Sequence, residues 1–303
     1  MRTEHELREE LVRFGRLTYE RRLLVAMDGN LSARLPSGDV LCTRAGCHKG
    51  FLRDDDILLV RPDGSVKRGE GRPTSEIFMH LACYRERPDV QAVIHAHPPL
   101  CVAFTIASVS MDRCVLPEVV LTLGSIPTAP YKTTGTSDLA EQIGSYVRDF
   151  DAILMDTHGA LTVGRDVLEA FCRLETMEHT ALILKTAQDL GGARNLPPEE
   201  ALKLRRLGLS RYGGPPAAVA RKDLPGADLP GPGGVRPAHP APSDAGLAPS
   251  PLRMLRVTSA PLTSLGQIQA QLREQREQSA APRDGQLESI VVEELVRLLG
   301  PES

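Results

Sequence analysis

The chain has 303 residues, 41% hydrophobic and 25% charged, with a net charge of −3. That composition supports a packed core and excludes the strongly basic surface expected of a nucleic-acid binder. With 4% aromatic residues and no Trp, little is available for stacking on bases or sugar rings. The opening run MRTEHELREELVRFGRL is charged throughout, and no segment reaches ~18 uninterrupted apolar residues, so a cytoplasmic chain without signal peptide or membrane span is expected. Cys42, Cys47, Cys83, Cys101, Cys114 and Cys172 form no C-x-x-C pair and read as buried free thiols in a reducing compartment.

In chain order, residues 4–24 place Leu7, Leu11, Phe14 and Leu17 at helical spacing. Val40–Thr43 and Asp56–Val60 read as strands. Thr74–Arg87 predicts a helix ended by Pro88, with Ile77, Leu81 and Tyr84 on one face. Ala92–His97 is a short strand stopped by Pro98-Pro99. Ser137–Phe150 predicts a helix, Ala152–Met155 a strand, Asp166–Leu190 a long helix and Pro198–Leu207 a last short one. Residues 1–212 thus read as a folded α/β domain. Residues 213–283 read as a mostly disordered linker, because their Pro/Gly/Ala-rich beginning cannot bury enough apolar surface to offset the entropy of ordering it. Residues 284–301 read as an amphipathic helix, with Leu287, Ile290, Val291, Leu295, Leu298 and Leu299 on one broad face and a stop at Gly300-Pro301.

The chemistry is carried by histidines at strand ends. In Val93-Ile94-His95-Ala96-His97 the strand alternation sends both imidazoles to one face. His158 follows the apolar run Ala152–Met155, with Gly159 read as permitting a tight turn just after it. Three neutral imidazoles with an open fourth position make a catalytic zinc-type site, whereas a structural zinc would use four ligands. In Arg72-Pro73-Thr74-Ser75-Glu76, Thr74 and Ser75 are candidate N-cap hydroxyls. The same segment is also a candidate anion site, with Glu76 beside it as a general base near the metal. The loops Asp28-Gly29-Asn30-Leu31-Ser32 and Thr43-Arg44-Ala45-Gly46 offer further anion-binding groups, though each by itself is a generic turn. His5, His48, His80, His179 and His239 have no assigned partner, and His80 reads as helix packing.

Together GNLSAR (29–34), TRAG (43–46), RPTSE (72–76), HAH (95–97), IPTAPY (126–131), TGT (134–136) and THGA (157–160) resemble the class II aldolase/adducin superfamily, and within it the L-fuculose-1-phosphate aldolases, over residues 5–212. The resemblance implies a three-layer α/β/α fold around a mostly antiparallel sheet and a homotetramer with active sites at subunit interfaces. It implies one Zn²⁺ or another divalent metal per subunit on His95, His97 and His158, with Glu76 as ligand or base. It places the substrate phosphate on Gly29, Asn30, Ala45, Gly46, Thr74 and Ser75. Where those aldolases carry a catalytic tyrosine, this chain has Glu118 in Leu116-Pro117-Glu118-Val119-Val120. Glu118 and Tyr131 are therefore the candidates for the second acid/base group, with Tyr212 of a neighbouring subunit as competitor. The implied reaction is cleavage of a ketose 1-phosphate, such as fuculose 1-phosphate, to dihydroxyacetone phosphate and a short aldehyde. A sugar-phosphate 4-epimerase and a methylthioribulose-phosphate dehydratase are the alternatives, and the complete histidine set speaks against a metal-free adducin-like module. The helix at 284–301 resembles an encapsulation peptide, which would bring the enzyme to a shell protein of a bacterial microcompartment; docking on its own domain is the competing reading.

Overall fold

A computed structural model describes residues 2–212. The expectations for the linker at 213–283 and the helix at 284–301 lie outside the described residues. Eight strands form one sheet: β1 (Asn30–Arg34), β2 (Val40–Thr43), β3 (Ile57–Val60), β4 (Val66–Arg68), β5 (Ala92–Ala96), β6 (Thr128–Ala129), β7 (Ala152–Met155) and β8 (Gly159–Gly164). Their order is β4-β3-β2-β1-β5-β8-β7-β6. Every pairing is antiparallel except β6 with β7. Among the described residues seven α-helices flank it: α1 (Glu4–Glu20), α2 (Ile77–Glu86), α3 (Pro99–Ile106), α4 (Pro117–Thr122), α5 (Ser137–Val147), α6 (Val167–Asp189) and α7 (Pro198–Tyr212).

The strand alternation builds two cores. Leu31, Ala33, Leu41, Ile94, Ala96 and Leu154 face Leu11 and Phe14 of α1, Phe104 of α3 and Phe171 and Leu174 of α6. Val40, Cys42, Leu58, Val93, Ile153 and Leu161 face Ile77, Leu81 and Tyr84 of α2 and Leu139 and Ile143 of α5. The expected three-layer α/β/α architecture with a mostly antiparallel sheet is the one observed. Each wholly buried leucine, such as Leu11 or Leu31, contributes roughly 2 kcal/mol through removal from water.

Element ends depart from the sequence reading for local reasons. The first helix stops at Glu20, because Arg22 takes φ 58° and turns Leu23 and Leu24 back into the core. Its start is set by a capping box between Thr3 and Glu6. The second helix starts at Ile77 rather than Thr74: the Thr74 hydroxyl accepts from the Glu76 N–H at 3.3 Å, and Ser75 caps nothing. Pro98 and Pro99 end β5 and also open α3, as prolines do at a first helical turn. Strands β1 and β8 escaped the reading because one is short and half polar and the other lies between glycines. All six cysteines are free; Cys42, Cys47, Cys83 and Cys101 are buried as expected, while Cys114 is half-buried and Cys172 exposed. No helix among the described residues is long and apolar enough to cross a membrane.

Candidate active site

Pairing in the middle of the sheet brings the site together. In the register of β1 against β5, Asn30 lies opposite His95. The hairpin of β7 and β8 closes at Met155 opposite Gly159, so Asp156, Thr157 and His158 form its loop. The left-handed residue in that loop is Thr157, at φ 52°, and not Gly159. Gly159 is required for a different reason. A Cβ there would lie 2.6 Å from the Ala96 carbonyl oxygen, 2.7 Å from His97 Cδ2 and 2.9 Å from His95 Cε1. Gly29, at φ 67°, combines both demands, since its Cβ would meet the His95 carbonyl oxygen at 2.7 Å.

The three imidazoles converge. His95, His97 and His158 each offer one ring nitrogen, all within 4.8 Å of one another. His95 Nδ1 donates to the Ala160 carbonyl at 2.9 Å, which fixes its tautomer and leaves Nε2 with a lone pair facing inward. His97 Nε2 stands 3.1 Å from that nitrogen. The Glu76 carboxylate completes the group, with Oε2 3.2 Å from His95 Nε2 and Oε1 3.4 Å from His158 Nε2. Glu76 Oε1 and His158 Nδ1 are buried without a hydrogen-bond partner. Two close nitrogen lone pairs and a buried, unsatisfied carboxylate oxygen fit a divalent cation, which needs just such electron donors. Burial lowers His95 to about 3 and also lowers His158, so both rings are neutral at neutral pH. Burial by itself would raise the Glu76 carboxyl, but the His95 ring and the Asn30 amide outweigh it and keep the group below its ordinary value.

Beside this cluster lies a cavity of about 320 Å³. All six residues expected to bind phosphate line it: Gly29, Asn30, Ala45, Gly46, Thr74 and Ser75. Glu76, His97 and His158 form the metal end of the lining, while His95 lies buried behind them. Two expected residues are elsewhere. Glu118 is exposed in the first turn of α4, and Tyr131 is 56% exposed. Neither lines this chain's cavity. The chain ends of α4 and β6 bring them to the surface and not to the histidines.

Sequence reasoning missed Lys49, which also lines the cavity. It is 2% exposed, and its Nζ donates to the carbonyls of Met27 at 2.8 Å and Cys47 at 2.9 Å. Those carbonyls belong to the two loops that carry Gly29 and Gly46, so Lys49 ties the loops together. Among the described residues no carboxylate forms an ion pair with it, and burial pulls its ammonium below the ordinary value. A lysine in an otherwise generic turn carries no local mark of being buried. His80 was also underread. It is wholly buried and hydrogen-bonded at both ring nitrogens. Burial lowers it to about 4.

Comparison with known proteins agrees with this geometry. The model of the family "Class II Aldolase and Adducin N-terminal domain" matches residues 9–184. An L-fuculose phosphate aldolase of Methanococcus maripaludis is 32% identical over 170 residues, 56% of this chain and 91% of the relative. A 3-oxo-tetronate 4-phosphate decarboxylase of Escherichia coli is 32% identical over 187 residues, 60% of this chain and 88% of the relative. The crystal structure of L-fuculose-1-phosphate aldolase from Thermus thermophilus superposes with a TM-score of 0.56 at 29% identity, covering 63% of this chain and 98% of that one. From the family match and the lyase names of its relatives, the chain belongs to the class II aldolase and adducin family, among its enzymes.

Proposed function

We propose that the protein is a divalent-metal-dependent aldolase that splits a ketose 1-phosphate into dihydroxyacetone phosphate and a short aldehyde. The observation that carries the reading is the juxtaposition of His95, His97, His158 and Glu76 with the cavity between the Gly29 and Gly46 loops. His95, His97 and His158 would hold the metal, zinc by the chemistry of three imidazoles. When bound, such a cation supplies Lewis acidity to a carbonyl and an adjacent hydroxyl of the substrate.

The chain's own residues do the rest. The Ala45 N–H is held by the Arg72 carbonyl at 2.8 Å, so the backbone N–H of Gly46, the side chains of Asn30, Thr74 and Ser75, and the Lys49 charge bind the phosphate and orient the sugar. Glu76, ionised and buried, takes and returns a proton at the carbon or hydroxyl next to the breaking C–C bond. The second acid/base group is Glu118 or Tyr131, and Tyr212 of a neighbouring subunit competes for the role. Glu118 and Tyr131 stand outside their own cavity, so in this reading they act on a neighbour's site in a homotetramer.

A decarboxylase is the second reading. A relative of that name has the same 32% identity as the aldolase, and loss of CO₂ leaves the same kind of electron-rich carbon at the same site. Metal-loaded protein incubated with ketose 1-phosphates should release dihydroxyacetone phosphate, read by a coupled reductase, and a chelator should stop it. Release of CO₂ from a 3-oxo acid phosphate without any dihydroxyacetone phosphate from ketoses would overturn the aldolase. The reading extends to residues 213–303: the linker would tether the helix at 284–301, and that helix would dock on a microcompartment shell protein.

A further inference from the structure

Behind Glu76 runs a chain of buried polar side chains, and beyond Asn30 the proposed reaction uses none of them. Asn30 Nδ2 donates to Glu76 Oε2 at 2.9 Å. Asn30 Oδ1 lies 2.5 Å from His80 Nε2, and His80 Nδ1 lies 2.6 Å from Ser32 Oγ. Ser32 Oγ lies 2.7 Å from Tyr84 Oη. Asn30, Ser32, Glu76, His80 and Tyr84 are all at most 8% exposed.

The arrangement follows from two periodicities in register. Glu76, the N-cap of α2, and His80 and Tyr84 within it are four residues apart, a step of ~6 Å along a helix. Asn30 and Ser32 are two apart on β1, a step of ~6.7 Å along a strand. Leu31 and Ala33 point to the other core, so β1 offers Asn30 and Ser32 to α2 and the five groups interleave.

Each donor and acceptor is then determined by its neighbour. A carboxylate only accepts, so the Asn30 amide must turn its NH₂ to Glu76 and its oxygen to His80. His80 must therefore carry its proton on Nε2, and its Nδ1 must accept from the Ser32 hydroxyl. Ser32 Oγ in turn accepts from Tyr84, whose phenol burial keeps protonated. All the bonds run one way, from the Tyr84 hydroxyl to the Glu76 carboxylate, and bonds aligned in this way strengthen one another.

We propose that His80, backed by Ser32 and Tyr84, is a positioning residue that locks the Asn30 amide onto Oε2 of Glu76, the oxygen beside His95, so that Oε1 stays free beside His158. The consequence for turnover rests on the proposed function. The orientation of the chain and its effect on metal affinity do not. Second partners of this kind typically tune metal affinity or activity by ~10–100-fold.

Two measurements on the full chain test this. In ¹⁵N-histidine long-range NMR, the ring assigned by its disappearance in His80→Gln should be neutral with its proton on Nε2, the tautomer opposite to that of His95. A proton on Nδ1, or an imidazolium at pH 7.5, overturns the proposal. In chelator competition with Zn²⁺ on the apoprotein, His80→Leu should weaken the metal about 10-fold or more. His80→Gln, whose amide both donates and accepts, should recover most of the loss. Tyr84→Phe and Ser32→Ala should give smaller losses in that order of distance from Glu76, and they keep the test open if His80→Leu does not fold. Wild-type zinc affinity in folded His80→Leu overturns the positioning role. Wild-type-like zinc binding without sugar-phosphate cleavage in the unmodified chain would instead overturn the proposed function and leave this inference standing.

Discussion

At the scale of single residues, Glu76 and Lys49 divide the work between proton transfer and charge. The Glu76 carboxylate lies within 3.4 Å of His158 Nε2 and 3.2 Å of His95 Nε2. Glu76→Gln keeps the shape and removes the base, so kcat should fall by roughly 10²-fold, while the inhibition constant of inorganic phosphate stays the same. Steady-state kinetics with a phosphate titration separates the two. Lys49→Met makes the opposite split. Methionine fills most of the buried volume, but it can neither bind the Met27 and Cys47 carbonyls nor face an anion. A charged hydrogen bond is worth about 1.5–3 kcal/mol, so KM for a phosphorylated substrate should rise at least about 10-fold. The change in kcat should be small.

Among the elements, the β7–β8 hairpin and the β1–α2 contact set the site. The hairpin delivers His158 only because Gly159 lets Ala96 and both other histidines approach its Cα. Gly159→Ala should push the rings apart, and metal analysis by mass spectrometry should find well under one ion per chain even where circular dichroism is unchanged. The β1–α2 contact makes stability depend on pH through His80. Its folded value of about 4 lies below the unfolded reference of 6.5, so the unfolded chain takes up a proton first as pH falls. The stability contributed by neutral His80 is thus complete above 6.5 and is lost between 6.5 and 4. Between pH 7 and pH 5 that loss is about 2 kcal/mol. Urea unfolding of the apoprotein at the two pH values should show a drop smaller by that amount in His80→Gln.

For the whole molecule, the described residues 2–212 include two cores and a lined candidate site. The family match ends at residue 184, well inside that range. A chain cut after Tyr212 should therefore keep its metal content and its unfolding midpoint. If residues 284–301 are a docking tag, the same cut abolishes recruitment to co-expressed shells, and residues 284–303 fused to a fluorescent protein restore it. A truncated chain that unfolds would favour a helix that docks on its own domain.

What the sequence determined by itself was local. Strand alternation placed His95 and His97 on one face, and the segments around Asn30, Gly46, Ser75 and His158 were legible because each puts hydroxyls, glycines or imidazoles at the end of an apolar run. Those are short-range rules of backbone geometry, and they survive in any fold that uses the segment. The tertiary structure decided what depends on distant partners. His80 read as helix packing until β1 was paired beside β5 and α2 was laid across it, which turned it into the middle of a buried hydrogen-bonded chain. Lys49 went unread because its burial comes from two carbonyls twenty residues apart, those of Met27 and Cys47, which only the folded loops place on it. Glu118 and Tyr131 were named from motif order, which does not say toward which cavity a helix end or loop turns. Burial and convergence are properties of contacts far apart in the chain, and periodicity, which reports only on neighbours a few residues away, does not contain them.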